Sequence, residues 1–153
     1  MLTGGYIGIM EAVSRGAAEA GGYVIGITCD EIEKWRPITV NPWVKEEWRK
    51  PTLRDRLWSL LQNCDLAIAM PGGAGTLAEI AVLWNHQIIN ALPAKAIILI
   101  GEGWKLVMAT FFDQFGNFIP EHDRIHLSFS PTVEDAVNKI NAIESSTNSD
   151  LAE

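Results

Sequence analysis

Pro71-Gly72-Gly73-Ala74-Gly75-Thr76-Leu77-Ala78-Glu79 is the stretch of this chain whose residue types and spacing could do chemistry. Three glycines allow a tight turn and let a ligand come close to the backbone, where a Cβ would block it. The amides of Gly73 to Thr76 can then point at an anion, with the positive end of a helix dipole behind them. Thr76 adds a hydroxyl, and Glu79 follows one helical turn later. The pattern reads as a phosphate cradle: Gly72, Gly73, Gly75 and Thr76 would seat a monoester, and Glu79 would act on what they hold. A plain strand-to-helix turn is the bland alternative, but such a turn seldom needs three glycines and a proline. A dinucleotide site fits less well, because the G-x-G-x-x-G spacing is absent and no acidic residue ends a following strand.

Such a loop needs a strand before it and a helix after it. Leu66 to Met70 reads as a buried strand, and a helical pattern runs on to about Asn90. Upstream, Gly4-Gly5-Tyr6-Ile7-Gly8-Ile9-Met10 leads into apolar and small residues at 9, 13, 17 and 20, stopped by Gly21-Gly22. Tyr23 to Thr28 reads as a strand. Residues 29–51 read as irregular, broken by Pro37, Pro42 and Pro51, with Trp35, Trp43 and Trp48 among charges; such a segment suits a binding loop or an oligomer contact. Thr52, with Asp55 three residues on, caps a helix to Asn63 whose stripe is Leu53, Leu57, Leu60 and Leu61. Strands at 94–100 and 125–129 alternate with helices at 104–115 and 132–143, and residues 144–153 form a polar tail. This alternation predicts an α/β fold, a parallel sheet with helices on both faces, in a single domain over residues 1–143. Ligands of such sheets bind beyond the carboxyl ends of strands, where the glycine loop falls.

Bulk properties narrow the partners. At 153 residues the chain can bury a real core, and its 48% apolar and 20% charged residues are ordinary. A net charge of −7 and a pI of about 4.9 disfavour nucleic acid polymers and anionic membranes. A small phosphorylated ligand stays open, since a few local donors can overcome the global field. Cys29 and Cys64 read as buried free thiols in a reducing compartment. No basic segment with an apolar h-region opens the chain, and the longest apolar run, 96–100, is too short to span a bilayer, so the expected location is cytoplasmic. No metal site is expected: His86 sits among apolar residues, and Pro120 argues against a helix that would bring His122 and His126 one turn apart. Trp84 and Trp104 read as core or dimer contacts.

Two segments together resemble the LOG family, proteins once labelled lysine decarboxylases and associated with nucleotide phosphoribohydrolase activity. The first runs from Gly4-Gly5-Tyr6-Ile7-Gly8-Ile9-Met10-Glu11-Ala12 to Gly21-Gly22-Tyr23-Val24-Ile25-Gly26-Ile27. The second, Pro71 to Glu79, fits the family pattern PGGxGTxxE at every fixed position. The resemblance covers about residues 3–140. It implies a Rossmann-like nucleotide-binding fold, a homodimer or higher homo-oligomer, and a nucleoside 5′-monophosphate as ligand. It also implies that Gly4, Gly5 and Met10 line the base or ribose side. The family's Met-x-x-Arg-Lys segment looks like Leu53-Arg54-Asp55-Arg56-Leu57 here, with Arg56 in the arginine place and Arg54 as the alternative alignment. Leu57 stands where the family has a lysine that helps define its cytokinin-activating subset. Family members also begin with a strand, a Gly-Ser turn and a helix that have no counterpart before Leu2. Without that first unit, the strand at 66–70 is expected to present an open edge and apolar surface.

The activity that the resemblance implies is hydrolysis of an N-glycosidic bond, giving a purine-type base and ribose 5-phosphate. Glu79 would stabilise positive charge on the ribose and handle the attacking water, and Arg56 would hold the phosphate or ribose hydroxyls by its planar fork. No cofactor is expected. A pyridoxal-phosphate decarboxylase is the poorest fit, as neither Lys95 nor Lys105 sits in a recognisable cofactor motif. The alternative is a non-catalytic nucleotide or cofactor carrier of the same superfamily.

Overall fold

The computed structural model describes residues 1–150, with side chains as far as Ile143. Strands and helices alternate in a Rossmann-like α/β fold, and all strand pairing is parallel. The chain divides into two compact units, Met1–Cys64 and Asp65–Glu153, each with its own three-stranded sheet.

The first unit contains β1 (Leu2–Thr3), α1 (Ile9–Glu19), β2 (Ile25–Cys29), α2 (Asp30–Trp35), β3 (Glu46–Lys50) and α3 (Leu53–Gln62). Its sheet order is β1-β2-β3, with Leu2 opposite Ile25 and Ile27 opposite Trp48. The central strand β2 is buried from Gly26 to Cys29, as a parallel strand covered on both faces should be. The stretch read as irregular is therefore ordered in part. Three acidic residues favour the first turn of α2, and Glu46-Glu47-Trp48-Arg49-Lys50 forms an edge strand. Its charges conceal it from a hydropathy reading, yet they suit an edge, because they discourage further pairing.

Two helices bury the predicted stripes only in part and also bury polar residues outside them. In α1, Ile9 is half exposed, whereas Ser14 is fully buried. Ser14 is held there by hydrogen bonds to the Met10 carbonyl, Thr3 and Asn41. In α3 the Thr52 cap forms as expected, with the Asp55 amide donating to Thr52 Oγ1 at 3.1 Å. Its buried residues are Arg56, Ser59 and Leu61, while Leu53 is half exposed. A polar group is buried at little cost when its hydrogen bonds are satisfied, and periodicity of apolar residues cannot see that.

The second unit contains β4 (Ala67–Ala69), α4 (Ala74–Ile88), β5 (Ile97–Ile100), α5 (Glu102–Phe115), a 3-10 turn (Gly116–Phe118), α6 (Glu121–Arg124), β6 (Leu127–Ser130) and α7 (Val133–Asp150). The order β4-β5-β6 puts the wholly buried β5 in the centre and β4 at an edge, with Ile68 41% exposed. Ile98, Ile100 and Ala136 form a core cluster with Leu66, Met70 and Ile140 packed on it. The helix expected to end at 143 continues to Asp150; residues 151–153 of the polar tail lie outside the described residues. Pro120 does not prevent a helix. It is the N-cap of α6, where its missing N–H costs nothing. His126 lies beyond the end of that helix, and no group of metal-ligating side chains occurs among the described residues. Cys29 is buried and Cys64 half-buried, both as free thiols. No helix among the described residues is long and apolar enough to cross a membrane.

Candidate functional site

The glycine loop joins β4 to α4. Gly73 is the N-cap of α4, and among the described residues no side chain caps the helix. The first backbone bond there runs from the Leu77 amide to the Gly73 carbonyl at 3.0 Å. Among the described residues, the amides of Gly73, Ala74, Gly75 and Thr76 have no protein acceptor. These are the orphan donors of a helix start, and a phosphate is the kind of group they satisfy.

The glycines serve access more than turning, since none of Gly72, Gly73 and Gly75 has a positive φ. A Cβ on Gly73 or Gly75 would meet nothing within 4 Å, so that space is open to a ligand. Gly72 differs: a Cβ there would lie 2.2 Å from Thr76 Oγ1, so the hydroxyl rests directly against this glycine. Thr76 and Glu79 are both half-buried on α4. Trp104 supports the loop from below, its Nε1 donating to the Met70 carbonyl at 3.0 Å. Trp84 is anchored similarly to the Asp123 carbonyl at 2.7 Å. Both tryptophans are core residues with a polar tether, buried to 8% exposure.

Within the first unit a second group of expected residues comes together. Arg56 is 7% exposed; its Nε donates to the Ile27 carbonyl at 2.7 Å and its Nη2 to the Gly4 carbonyl at 3.1 Å. Met10 Sδ lies 3.8 Å from Nη2, and the guanidinium carbon stands 5.7 Å from the centre of the Tyr6 ring. Gly4 must be glycine for this to happen, since a Cβ would fall 2.2 Å from Arg56 Nη2. Gly5 turns the chain with φ +77°. The fork of Arg56 is thus committed along one side to backbone carbonyls, and what it offers a ligand first is a fixed positive charge.

Two residues that sequence reading passed over hold this turn. Asn41 is 3% exposed and its Nδ2 donates to the Gly5 carbonyl at 3.0 Å and the Tyr6 carbonyl at 3.1 Å. The Asn41-Pro42 dipeptide was its available signal, being a turn former. Tyr6 is 2% exposed, and its hydroxyl accepts from the Cys29 amide at 2.7 Å. Burial, together with the nearby Glu33 carboxylate, raises the Tyr6 phenol above its usual pKa, while the Cys29 bond and Arg56 pull the other way. No spacing rule marks Tyr6. Beside it, Arg49 pairs with Asp30 and Glu33 at 2.6 Å each, in partly exposed contacts that solvent screens.

The structure therefore gathers Gly4, Gly5, Met10 and Arg56 at the β1–α1 turn, and Gly72, Gly73, Gly75, Thr76 and Glu79 at the β4–α4 turn. Each group lies after the carboxyl end of a parallel strand, the edge at which such sheets take ligands. One group offers amide donors and a carboxylate, the other a buried cation.

A family model described as possible lysine decarboxylase matches residues 10–140. Among curated proteins, the chain is similar to the cytokinin riboside 5′-monophosphate phosphoribohydrolase LOG5 of Arabidopsis thaliana. The two are 30% identical over 143 residues, which are 91% of this chain and 61% of that protein. Similarity to the probable cytokinin riboside 5′-monophosphate phosphoribohydrolase LOGL3 of Oryza sativa subsp. japonica is 30% over 142 residues, 90% of this chain and 65% of that one. The chain thus spans somewhat over three-fifths of the length of these curated relatives. Among solved structures, the molybdenum cofactor binding protein from the phototrophic bacterium Rippkaea orientalis matches with a TM-score of 0.70 and 25% identity, covering 93% of this chain and 76% of that chain.

Proposed function

Because this chain belongs to the LOG family, whose model carries the description possible lysine decarboxylase, we propose that it is a nucleoside 5′-monophosphate phosphoribohydrolase. The bond cleaved is the N-glycosidic bond, and the products are a purine-type base and ribose 5-phosphate. One observation carries the reading: among the described residues the row of amides from Gly73 to Thr76 has no protein acceptor, and the Thr76 hydroxyl lies against Gly72.

In this reading those amides and that hydroxyl bind the 5′-phosphate, and Gly4, Gly5 and Met10 line the base or ribose side. As the C1′–N bond breaks, its electron pair leaves with the base, which takes a proton from solvent, and positive charge builds on the ribose. Glu79 stabilises that charge and accepts a proton from the water that bonds to C1′. Arg56 contributes a cation that its carbonyl bonds hold in place. The reaction written this way calls on no cofactor. The test is to incubate the protein with AMP, an N6-substituted AMP and IMP, and to resolve the products by chromatography. Equal amounts of free base and ribose 5-phosphate support the reading; no product from any of them contradicts it.

A second reading is favoured by the likeness to the molybdenum cofactor binding protein. In it the same amides hold a phosphorylated ligand that is carried and released unchanged. Tight binding by calorimetry with no product after long incubation would select it. We place the protein in the cytoplasm in either reading, and its recovery with a membrane or exported fraction would contradict that.

The proposal includes a homodimer. On α4 and α5, Trp84 meets Phe111 and Phe112 edge-on at 6.5 and 5.8 Å between ring centres, and Phe111 meets Phe115 at 5.2 Å. Val107, Phe111 and Phe115 are nonetheless 48%, 39% and 50% exposed. An aromatic cluster left partly open to water is what an interface core looks like before assembly. Sedimentation should show a dimer, and Phe115→Lys should weaken it at least tenfold; a monomer at all concentrations would refute the assignment.

A further inference from the structure

We infer that β3 is a docking edge for a second copy of this chain, which pairs with it antiparallel about a two-fold axis at Trp48. This contact goes beyond the enzymatic reading, and it is distinct from the aromatic surface of α4 and α5. β3 ends the order β1-β2-β3, so one of its sides has no strand beside it among the described residues. The alternation of the ladder says which groups face that side. The Ile25 amide donates to the Met1 carbonyl at 2.9 Å, toward β1, and the Glu46 amide to the Val24 carbonyl at 3.3 Å, toward β2. Glu46, Trp48 and Lys50 therefore direct their main-chain groups to β2, and those of Glu47 and Arg49 point outward. Both outward residues are exposed, and among the described residues no protein group bonds to their main chain.

Charges on an edge deter most incoming strands. The order Glu46-Glu47-Trp48-Arg49-Lys50 leaves one exception, because it is complementary to itself reversed. An antiparallel copy in register at Trp48 places Glu47 opposite Arg49 as pairs that exchange both N–H···O bonds, using only the outward groups. On the other face Glu46 stands opposite Lys50 on each side of the axis, and the two Trp48 side chains meet between them. Among the described residues neither Glu46 nor Lys50 has an ion-pair partner in its own chain. Glu46 accepts from the Tyr23 hydroxyl and Trp48 Nε1, and the Lys50 ammonium rests over the Trp48 ring, 5.9 Å from its centre. Arg49 is already held by Asp30 and Glu33, so its pairing with Glu47 adds less. A two-fold contact of this kind closes on itself, whereas a parallel copy in register would set each charge against its like.

Exchanging the charges tests this in the full chain carrying Phe115→Lys, where the α4–α5 surface is disabled. Sedimentation should show a residual association that grows with concentration. Glu46→Lys sets a lysine against Lys50 on both sides of the axis and should weaken that association about tenfold, as two attractive pairs become repulsive. Adding Lys50→Glu should restore it. Within one strand those two positions stand about 13 Å apart, so the exchange repairs only a contact between copies. No association at any concentration, or a double variant as weak as the single one, would overturn the inference. Mild oxidation of Trp48→Cys is a second measurement that needs no stable complex. Opposite residues at the axis have Cβ atoms about 4.5–5.5 Å apart, near the span of a disulfide. Trp48→Cys should therefore cross-link in pairs much faster than Trp58→Cys, whose side chain is also open to solvent. Equal rates would overturn the inference too, and would leave the phosphoribohydrolase reading standing.

Discussion

Glu79→Ala should lower turnover of a nucleoside monophosphate by about 10²–10⁴-fold, the range for removing a positioned acid or base. Affinity for ribose 5-phosphate should change far less, because the amides of Gly73 to Thr76 and the Thr76 hydroxyl remain. Glu79 lies on α4 one turn past those donors, half-buried, in a helix with no other acidic residue. A carboxylate whose only role was to favour the helix start would be worth tenths of a kcal/mol to about 1 kcal/mol of stability and nothing to catalysis. Steady-state kinetics beside a thermal melt separates the two. A variant that melts somewhat lower but turns over at the native rate would leave Glu79 with the lesser role.

Gly4→Ala is the second large effect. The new methyl would fall 2.2 Å from Arg56 Nη2 and 2.3 Å from Met10 Sδ. The thioether can swing away, as an unbranched flexible chain should. The guanidinium cannot move without leaving the Ile27 and Gly4 carbonyls unpaired in a buried place. The expected cost is about 1–3 kcal/mol, as for overpacking a filled site, and activity should fall with it as Arg56 is displaced. Gly16→Ala on α1 is the control, because a Cβ there meets nothing within 4 Å. It should be neutral or stabilising by about 0.5–1 kcal/mol, the usual gain from alanine over glycine in a helix. Urea denaturation of both variants measures the contrast, and equal stability of the two would contradict the role given to Gly4.

The glycine loop was legible in the sequence because it depends on residue types that few other roles demand, and the apolar β4 and long α4 on either side frame it. The Thr52 cap was legible for a similar reason: hydroxyl and carboxylate three residues apart have a local geometry. What escaped depends on contacts between residues far apart in the chain. β3 carries four charges in five residues and is a strand only because β2 offers it a ladder. Arg56 was expected at the site for its likeness to a family position, yet that it would be buried among carbonyls of residues 4 and 27 could not be read from α3. Ser14 and Asn41 are buried for the same reason, as polar groups whose partners lie up to 36 residues away. Hydropathy places such residues outside; hydrogen bonding puts them in.

The most direct test is to follow the backbone amide resonances of Gly73, Ala74, Gly75 and Thr76 by NMR while ribose 5-phosphate is titrated into the protein. The account predicts that these amides shift downfield together and saturate at one dissociation constant, and that AMP or IMP produces the same shifts. Saturable binding that leaves these four resonances unmoved would contradict it.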